Sequence, residues 1–133
     1  MIKSIYFFFF ICICSIGMWA CSENEKEEFK NISSAQFEEL IQDKNVQVVD
    51  ARTPAEYQEG HLIESINLNV KDSSFVSAAE ELLNKDQAVA VYCRSGKRSR
   101  KAAKLLVKQG FKVVYNMDKG YLQWTEEGRE VVK

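Results

Sequence analysis

The sequence is short of the residues that mark low-complexity, fibrous and metal-binding chains. Its 133 residues include one proline, six glycines and one histidine. So little proline and glycine, with no repeat at solenoid periods, excludes collagen-like and low-complexity chains. The formal net charge is only -1, which excludes a chain that coats nucleic acid, and we predict no nucleic-acid partner. What remains is the composition of one ordinary soluble domain.

Charged residues are missing from an apolar run near the N-terminus, "IYFFFFICICSIGMWA", which follows Lys3 and ends before charge returns at Glu23. A positive start before such a run is typical of a secretory signal. The run ends in "GMWAC" and so resembles the lipobox of bacterial lipoproteins, in which the cysteine is lipidated and becomes the mature N-terminus. We predict a lipoprotein signal peptide over residues 1–20 and lipid attachment at Cys21. The protein would then be an exported lipoprotein of the bacterial cell envelope, membrane-anchored on the periplasmic side or at the cell surface.

The alternative for this segment is an uncleaved anchor helix, although Ile5 to Cys21 is shorter than the roughly 20 apolar residues that a bilayer needs. Under the lipoprotein hypothesis Cys12 and Cys14 are removed with the signal, and Cys21 carries lipid. Cys93 is then the one free thiol of the mature chain. One histidine and one free cysteine cannot build a metal site, and we predict neither a metal nor a cofactor.

Residues 21–29 lack apolar periodicity and include a strongly acidic stretch, "SENEKEE". Such a segment cannot bury enough apolar surface to fold by itself. We predict a flexible tether over residues 21–29 and a single folded domain over residues 30–133.

Two helix starts are marked by local capping patterns within the predicted domain. Ser33 is followed three residues later by Gln36, which is the spacing of a capping box. Thr53 is followed in the same way by Glu56, with proline at the first helical position, and that helix is expected to stop at Gly60.

Short apolar strands alternate with helical patterns along the rest of the chain. The strands are expected at "VQVVD", "SINLN", "AVAVY" and "FKVVYN", and further helices at "SFVSAAEELLN", "SRKAAKLLVKQ" and "GYLQWTEE". Alternation of this kind, with strands apolar on both faces, is typical of a parallel sheet covered by helices on both sides. We therefore predict an α/β fold with a parallel sheet of about five strands.

The chemically distinctive segment follows the strand "AVAVY", where "CRSGKRS" begins with Cys93 and leads into a helix expected to start near Ser99. In an open parallel sheet the binding crevice lies beyond the carboxyl ends of the strands. A loop with Gly96 at its centre and a helix N-terminus at its end can turn backbone N–H groups inward, which favours anions. We expect Cys93 to be largely ionised and nucleophilic in such a setting. A buried, inert cysteine that merely ends a core strand is the alternative.

Three segments resemble the rhodanese-like single-domain sulfurtransferases. "CRSGKRS" is similar to the active-site loop of that family, "VVDARTPAEYQEGHL" to its Asp-x-Arg, short helix and Gly-His segment, and "KGYLQW" to its closing Gly-Gly-x-x-x-Trp. The similarity covers about residues 28 to 130. The chain departs from the family pattern at Lys119, which replaces the first closing glycine, and at "LIESINL", which lacks the usual Pro-Gly after Gly-His.

The resemblance implies a persulfide cycle. Cys93 would take the outer sulfur of thiosulfate or a similar donor and pass it to a thiol or cyanide acceptor. The residues expected to bind the donor are those of the loop: Arg94, Ser95, Gly96, Lys97, Arg98 and Ser99. Gly96 would permit the tight turn, and Ser99 would cap the following helix. We expect Arg100, Lys101 and Lys104 to form a solvated helix face.

Three other polar residues near the loop in the family pattern are expected to support the structure. Asp50 and Arg52 would tie the end of their strand to neighbouring loops. His61 could form a dyad with Cys93, but a thiolate that its loop already ionises needs no base, so a structural role at the turn after Gly60 is expected.

Two other functions compete with sulfur transfer. One is a persulfide carrier that hands sulfur to a partner protein without notable turnover. The other is a cysteine-dependent phosphatase or arsenate reductase, which needs the pattern C-x5-R. Arg98 falls one residue short of that spacing, where Ser99 stands instead, and Tyr92 replaces the histidine that usually precedes the phosphatase cysteine.

Overall fold

The computed structural model describes residues 28–133, in which strands and helices alternate along the chain. The strands are β1 (Lys30–Ile32), β2 (Gln47–Asp50), β3 (Ile66–Asn67), β4 (Val89–Tyr92) and β5 (Val114–Met117). The helices are α1 (Ser34–Leu40), α2 (Pro54–Glu59), α3 (Phe75–Leu82), α4 (Lys97–Lys108) and α5 (Gly120–Glu126).

The five strands form one sheet in the order β1-β5-β4-β2-β3, and every pairing is parallel. This confirms the predicted α/β fold with a parallel sheet of about five strands. The sequence pattern did not indicate β1, because three residues are too few to show a period. Phe29, which the prediction assigned to the tether, lies just before β1 and is buried in the core.

Strand β4 occupies the centre of the sheet and divides the core into two clusters. Val89, Val91 and Cys93 face one cluster, which α3 and α4 cover, whereas Ala90 and Tyr92 face the other, which α1 and α5 cover. Successive side chains of a strand point to opposite faces, so a central strand that is apolar on both faces requires helices on both. The two-layer covering predicted from the strand "AVAVY" is confirmed.

Both predicted capping boxes are present. Ser33 caps α1 and exchanges hydrogen bonds with Gln36, and Thr53 caps α2 in the same way with Glu56. The prediction for Ser99 was wrong, because α4 begins at Lys97 and its N-cap is Gly96.

No helix within residues 28–133 is long and apolar enough to cross a membrane. The predicted signal peptide of residues 1–20, lipid attachment at Cys21 and most of the predicted tether lie outside the residues that the structure describes.

Candidate active site

Cys93 directly follows the central strand and lies at the carboxyl edge of the sheet. Its side chain is fully buried, and its Sγ accepts a hydrogen bond from the backbone N–H of Gly96 at 3.1 Å. The chain therefore folds back over the sulfur within three residues. An amide directed at sulfur stabilises negative charge there, as the prediction of a nucleophilic cysteine requires. Its full burial in the core cluster is shared with the alternative of a packing residue.

Gly96 is required by the turn itself. Its φ is 98°, in the left-handed region, and a Cβ at this position would collide with the carbonyl oxygen of Asp118. An L side chain is disfavoured at this φ for steric reasons, so the chain can reverse here only at glycine.

Helix α5 holds the active-site loop from the other side. The N–H of Tyr121 donates to the carbonyl of Cys93 at 2.8 Å, and the N–H of Leu122 donates to the carbonyl of Arg94 at 3.0 Å. Gly120 has a φ of 67°, and a Cβ there would lie 2.5 Å from the carbonyl oxygen of Arg94. The glycine of "KGYLQW" thus allows α5 to approach the loop.

The two departures from the family pattern have different structural outcomes. Lys119 has a φ of -99° and a ψ of -6°, an ordinary right-handed conformation that needs no glycine. Glu64, within "LIESINL", has a φ of 59° and is the one non-glycine residue with positive φ in the described part of the chain. That conformation is disfavoured for a residue with a Cβ, so the second departure leaves local strain and the first does not.

The loop cations differ in their pairing. Arg98 forms a two-point ion pair with Glu56, from Nη1 to Oε1 at 2.7 Å and from Nη2 to Oε2 at 2.9 Å. Arg94 and Lys97 are exposed and form no ion pair within residues 28–133. Of the cations predicted to bind the donor, Arg94 and Lys97 therefore have no carboxylate partner within residues 28–133, whereas Glu56 holds Arg98 in place.

The pair between Arg98 and Glu56 is electrostatically strong. The hydrogen bonds from Arg98 are the main reason why the pKa of Glu56 falls to about 2. The pKa of Arg98 is raised chiefly by its hydrogen bond to Glu56, and its electrostatic interaction with Cys93 acts in the same direction. The guanidinium thus lies within electrostatic range of the sulfur.

Two further loop residues were predicted to bind the donor. Ser95 is exposed beside Arg94. Ser99 is fully buried, and its hydroxyl donates to the carbonyl of Gly96 at 3.1 Å. Ser99 lies in the first turn of α4, and its hydroxyl stabilises the chain reversal at Gly96. The hydroxyl is therefore directed at the backbone of the loop.

Asp50 and Arg52 tie the end of β2 to the loop after α2. Arg52 donates from Nη2 to Asp50 Oδ2 at 2.7 Å and to the carbonyl of Gly60 at 2.6 Å. Burial alone lowers the pKa of Arg52, but its hydrogen bond to Asp50 and the charge of that carboxylate raise it overall. Both side chains are buried, as the supporting role predicted for them requires.

Tyr92 extends this network from the central strand. Its hydroxyl donates to Asp50 at 2.7 Å and accepts from the N–H of Leu62 at 3.0 Å. Burial is the largest cause of a raised pKa at Tyr92, and the nearby charge of Asp50 adds to it. The residue immediately before Cys93 is thus a neutral hydrogen-bonding anchor.

His61 is occupied by contacts away from the sulfur. Its ring stacks on Tyr57 with centroids 3.7 Å apart, and its Nδ1 lies 2.8 Å from the carbonyl oxygen of Tyr57. Its backbone pairs with Val132. These contacts are those of a structural residue at the turn after Gly60.

Sequence reasoning missed two partners of the site, Glu56 as the partner of Arg98 and Tyr92 as the partner of Asp50. Each pair is 42 residues apart, so no local pattern could have indicated either contact. No group of three or more histidine, cysteine, aspartate or glutamate residues that could hold a metal occurs within residues 28–133.

A parallel sheet whose central strand ends in a buried cysteine, with a backbone N–H directed at the sulfur and exposed Arg94 and Lys97 in the same loop, defines a class of α/β domain with a cysteine-centred loop. Residues 33–127 match the rhodanese-like domain family, and the chain belongs to that family.

Two proteins and one solved structure illustrate what the chain is similar to. The thiosulfate sulfurtransferase GlpE of Pseudoalteromonas translucida is 37% identical over 105 residues, which cover 79% of this chain and 97% of that protein. The tRNA uridine(34) hydroxylase of Pelagibacter ubique is 32% identical over 84% of this chain but only 36% of its own length. The crystal structure of a rhodanese-related protein from Thermoplasma volcanium aligns with a TM-score of 0.67 and 33% identity, over 78% of this chain and 98% of that one.

Proposed function

We propose that the protein is a thiosulfate sulfurtransferase that works through a persulfide on Cys93. The thiolate of Cys93 attacks the outer sulfur of thiosulfate, a new S–S bond forms, and the original S–S bond breaks. The bonding electrons leave with sulfite, and the enzyme is left as the Cys93 persulfide anion.

The second half of the cycle returns the cysteine to its starting state. Cyanide attacks the outer sulfur of the persulfide, thiocyanate leaves, and the Cys93 thiolate is restored. A thiolate acceptor reacts in the same way and leaves as its own persulfide. Neither half needs a metal, an oxidant or a reductant, because one sulfane sulfur atom passes between nucleophiles and its oxidation state does not change.

The observation that carries this proposal is the N–H of Gly96 directed at the sulfur of Cys93, in a loop that also carries exposed Arg94 and Lys97, neither of which forms an ion pair within residues 28–133. The amide stabilises the thiolate and the persulfide anion, and the two cations attract a dianionic donor and the departing sulfite. Arg98 acts at longer range, since Glu56 occupies both of its terminal nitrogens.

Loop length favours sulfur transfer over phosphate chemistry. The position where a phosphatase needs its arginine is taken by Ser99, which is buried and bonded to the backbone of Gly96. A shorter loop encloses a smaller space above the sulfur, which suits one added sulfur atom better than a tetrahedral oxyanion.

The direct test is thiocyanate formation from thiosulfate and cyanide by residues 22–133. We expect turnover in the unmodified protein and none in Cys93→Ser, whose hydroxyl ionises far less readily and forms no persulfide. One sulfur per protein without further turnover would support the persulfide carrier instead. Hydrolysis of an aryl phosphate without thiocyanate formation would support the phosphatase alternative.

We also propose that the protein is exported and anchored to a membrane through lipidated Cys21, on the basis of the N-terminal sequence alone. Cys21→Ala should move the protein from the membrane fraction to the soluble exported fraction, or stall its processing. A variant that stays in the membrane fraction and still incorporates labelled fatty acid would contradict this proposal.

A further inference from the structure

Helix α4 carries a row of exposed lysines. Its twelve residues, "KRSRKAAKLLVK", contain six basic residues and no acidic one. Four lysines recur at intervals of four, three and four residues, which places them on one side of a helix. We call these residues the α4 lysine row: Lys97, Lys101, Lys104 and Lys108. All four are exposed.

The row differs from the other basic side chains of the domain in being continuous along one helix. On the same helix, Arg98 is paired with Glu56 and Arg100 approaches Asp118 at 3.8 Å. Elsewhere, Lys44, Lys85 and Lys112 are paired with carboxylates. The exposed lysines outside α4 that form no ion pair within residues 28–133 are far apart along the chain: Lys30, Lys71, Lys119 and Lys133. None of the four lysines in the row forms an ion pair within residues 28–133.

This arrangement opposes the stability of the helix itself. Lysines four residues apart repel each other, as do those three residues apart. Lys97 also places positive charge at the N-terminal end of the helix, where the helix dipole disfavours it. A helix face that only contacts solvent would be more stable if carboxylates alternated with the lysines. The row is therefore better suited to binding a negatively charged partner.

The row begins in the active-site loop. Lys97 is four residues after Cys93, and exposed Arg94 continues the positive surface across the loop. From Lys97 to Lys108 the row spans about 16 Å at the helical rise per residue. A donor as small as thiosulfate cannot contact both ends, so the whole row fits a macromolecule.

We infer that the α4 lysine row is the docking surface for an acidic protein whose thiol accepts sulfur from Cys93. The inference rests on the proposed function. A negatively charged surface laid along the row would have its edge over the loop, where an acceptor thiolate could reach the outer sulfur. That thiolate attacks the persulfide, leaves as its own persulfide, and restores the Cys93 thiolate. A membrane surface could also meet the lysines, but it offers no thiol to the loop.

The test uses full-length protein in a neutral detergent and two synthetic peptides. Each peptide has one cysteine followed by a segment as long as the row, with glutamates in one peptide and glutamines in the other. After Cys93 is loaded with sulfur from thiosulfate, the rate of sulfur transfer to each peptide is measured by mass spectrometry. We expect transfer to the glutamate peptide to be about tenfold faster at low salt, with the advantage lost at about 0.5 M salt because exposed charges are screened.

The decisive variant is Lys101→Glu/Lys104→Glu, which leaves the loop untouched. It places carboxylates four residues from Lys97 and Lys108, so α4 should be at least as stable as before. We expect transfer to the glutamate peptide to fall about tenfold, with no change in the transfer to cyanide. Lys71→Glu/Lys133→Glu makes the same change in net charge at exposed lysines outside α4 and should have no such effect.

Binding is measured separately, so that failure of the docking inference can be told from failure of the proposed function. A fluorescent glutamate peptide with serine in place of its cysteine should bind the unloaded protein, and the α4 double variant should weaken that binding. If the glutamate peptide binds but sulfur is transferred neither to a peptide nor to cyanide, the acceptor assignment and the proposed function are both overturned. Equal transfer to both peptides with normal thiocyanate formation would overturn the docking inference alone. So would binding of the protein to phosphatidylglycerol vesicles without binding to either peptide.

Discussion

Replacing Glu56 with glutamine removes one charge from the ion pair that holds Arg98 beside the active-site loop. The change is nearly isosteric, and glutamine at this position still completes a capping box with Thr53. The start of α2 should therefore be preserved, so the variant isolates the electrostatic contribution of the pair.

The magnitude follows from the pKa of Glu56, which falls from an ordinary value of 4.5 to about 2 because Arg98 donates hydrogen bonds to it. A shift of that size corresponds to a ceiling of about 3 kcal/mol of folding free energy. The side chains of Arg98 and Glu56 are 21% and 26% exposed, so solvent screening reduces the expected loss in the variant to about 1–2 kcal/mol near neutral pH.

The pH dependence gives a sharper test than the loss itself. Because the folded pKa lies below the unfolded one, the contribution is complete above about pH 5 and is lost as the pH falls towards 2. We expect the difference in unfolding free energy between the unmodified protein and Glu56→Gln, measured with urea, to be roughly halved at about pH 3. Glu59→Gln, which changes an exposed carboxylate of the same helix, is the control. A difference that stays constant from about pH 6 to 3 would refute the assigned pKa and the strength of the pair.

The remaining predictions concern the hydrogen-bond network, the strained turn and the loop cations. Tyr92→Phe should lower the free energy of unfolding by about 1–3 kcal/mol, because it removes one hydrogen bond to buried Asp50 and leaves the N–H of Leu62 without a partner; a loss below about 0.5 kcal/mol in urea unfolding would contradict the network. Glu64→Gly should raise that free energy by about 0.5–1 kcal/mol by relieving the positive φ, and a decrease would show that the turn is not strained. Lys97→Ala should raise the KM for thiosulfate about tenfold, whereas Arg98→Ala should mainly lower kcat; unchanged steady-state kinetics in both would show that the loop amides suffice.

The features that could be predicted from the sequence are those set by neighbouring residues. The capping boxes of α1 and α2 depend on residues three positions apart, and the apolar run of β4 is enough to place a strand with two covered faces. The position of Cys93 at the carboxyl edge follows from that strand.

The features that could not be predicted depend on the folded backbone or on distant pairs. Ser99 resembled a helix cap, but the left-handed turn at Gly96 starts α4 two residues earlier, so the hydroxyl serves the turn from inside the helix. Glu56 was correctly identified as part of a capping box, yet its second partner, Arg98, comes from a distant segment. The spacing of the α4 lysines can be read from the sequence, but the fact that no carboxylate within residues 28–133 pairs with them depends on the folded surface.

The most direct test of the central claim is the mass of the protein after brief exposure to thiosulfate. Residues 22–133 contain one thiol, Cys93, so intact-protein mass spectrometry under native conditions should show the gain of one sulfur atom. Digestion should place the gain on the peptide that contains Cys93, and dithiothreitol should remove it. The same thiol should react readily with peroxide unless it is already persulfidated. No thiosulfate-dependent gain in mass, together with slow oxidation by peroxide in the folded protein, would contradict the account and leave Cys93 as a packing residue of the core.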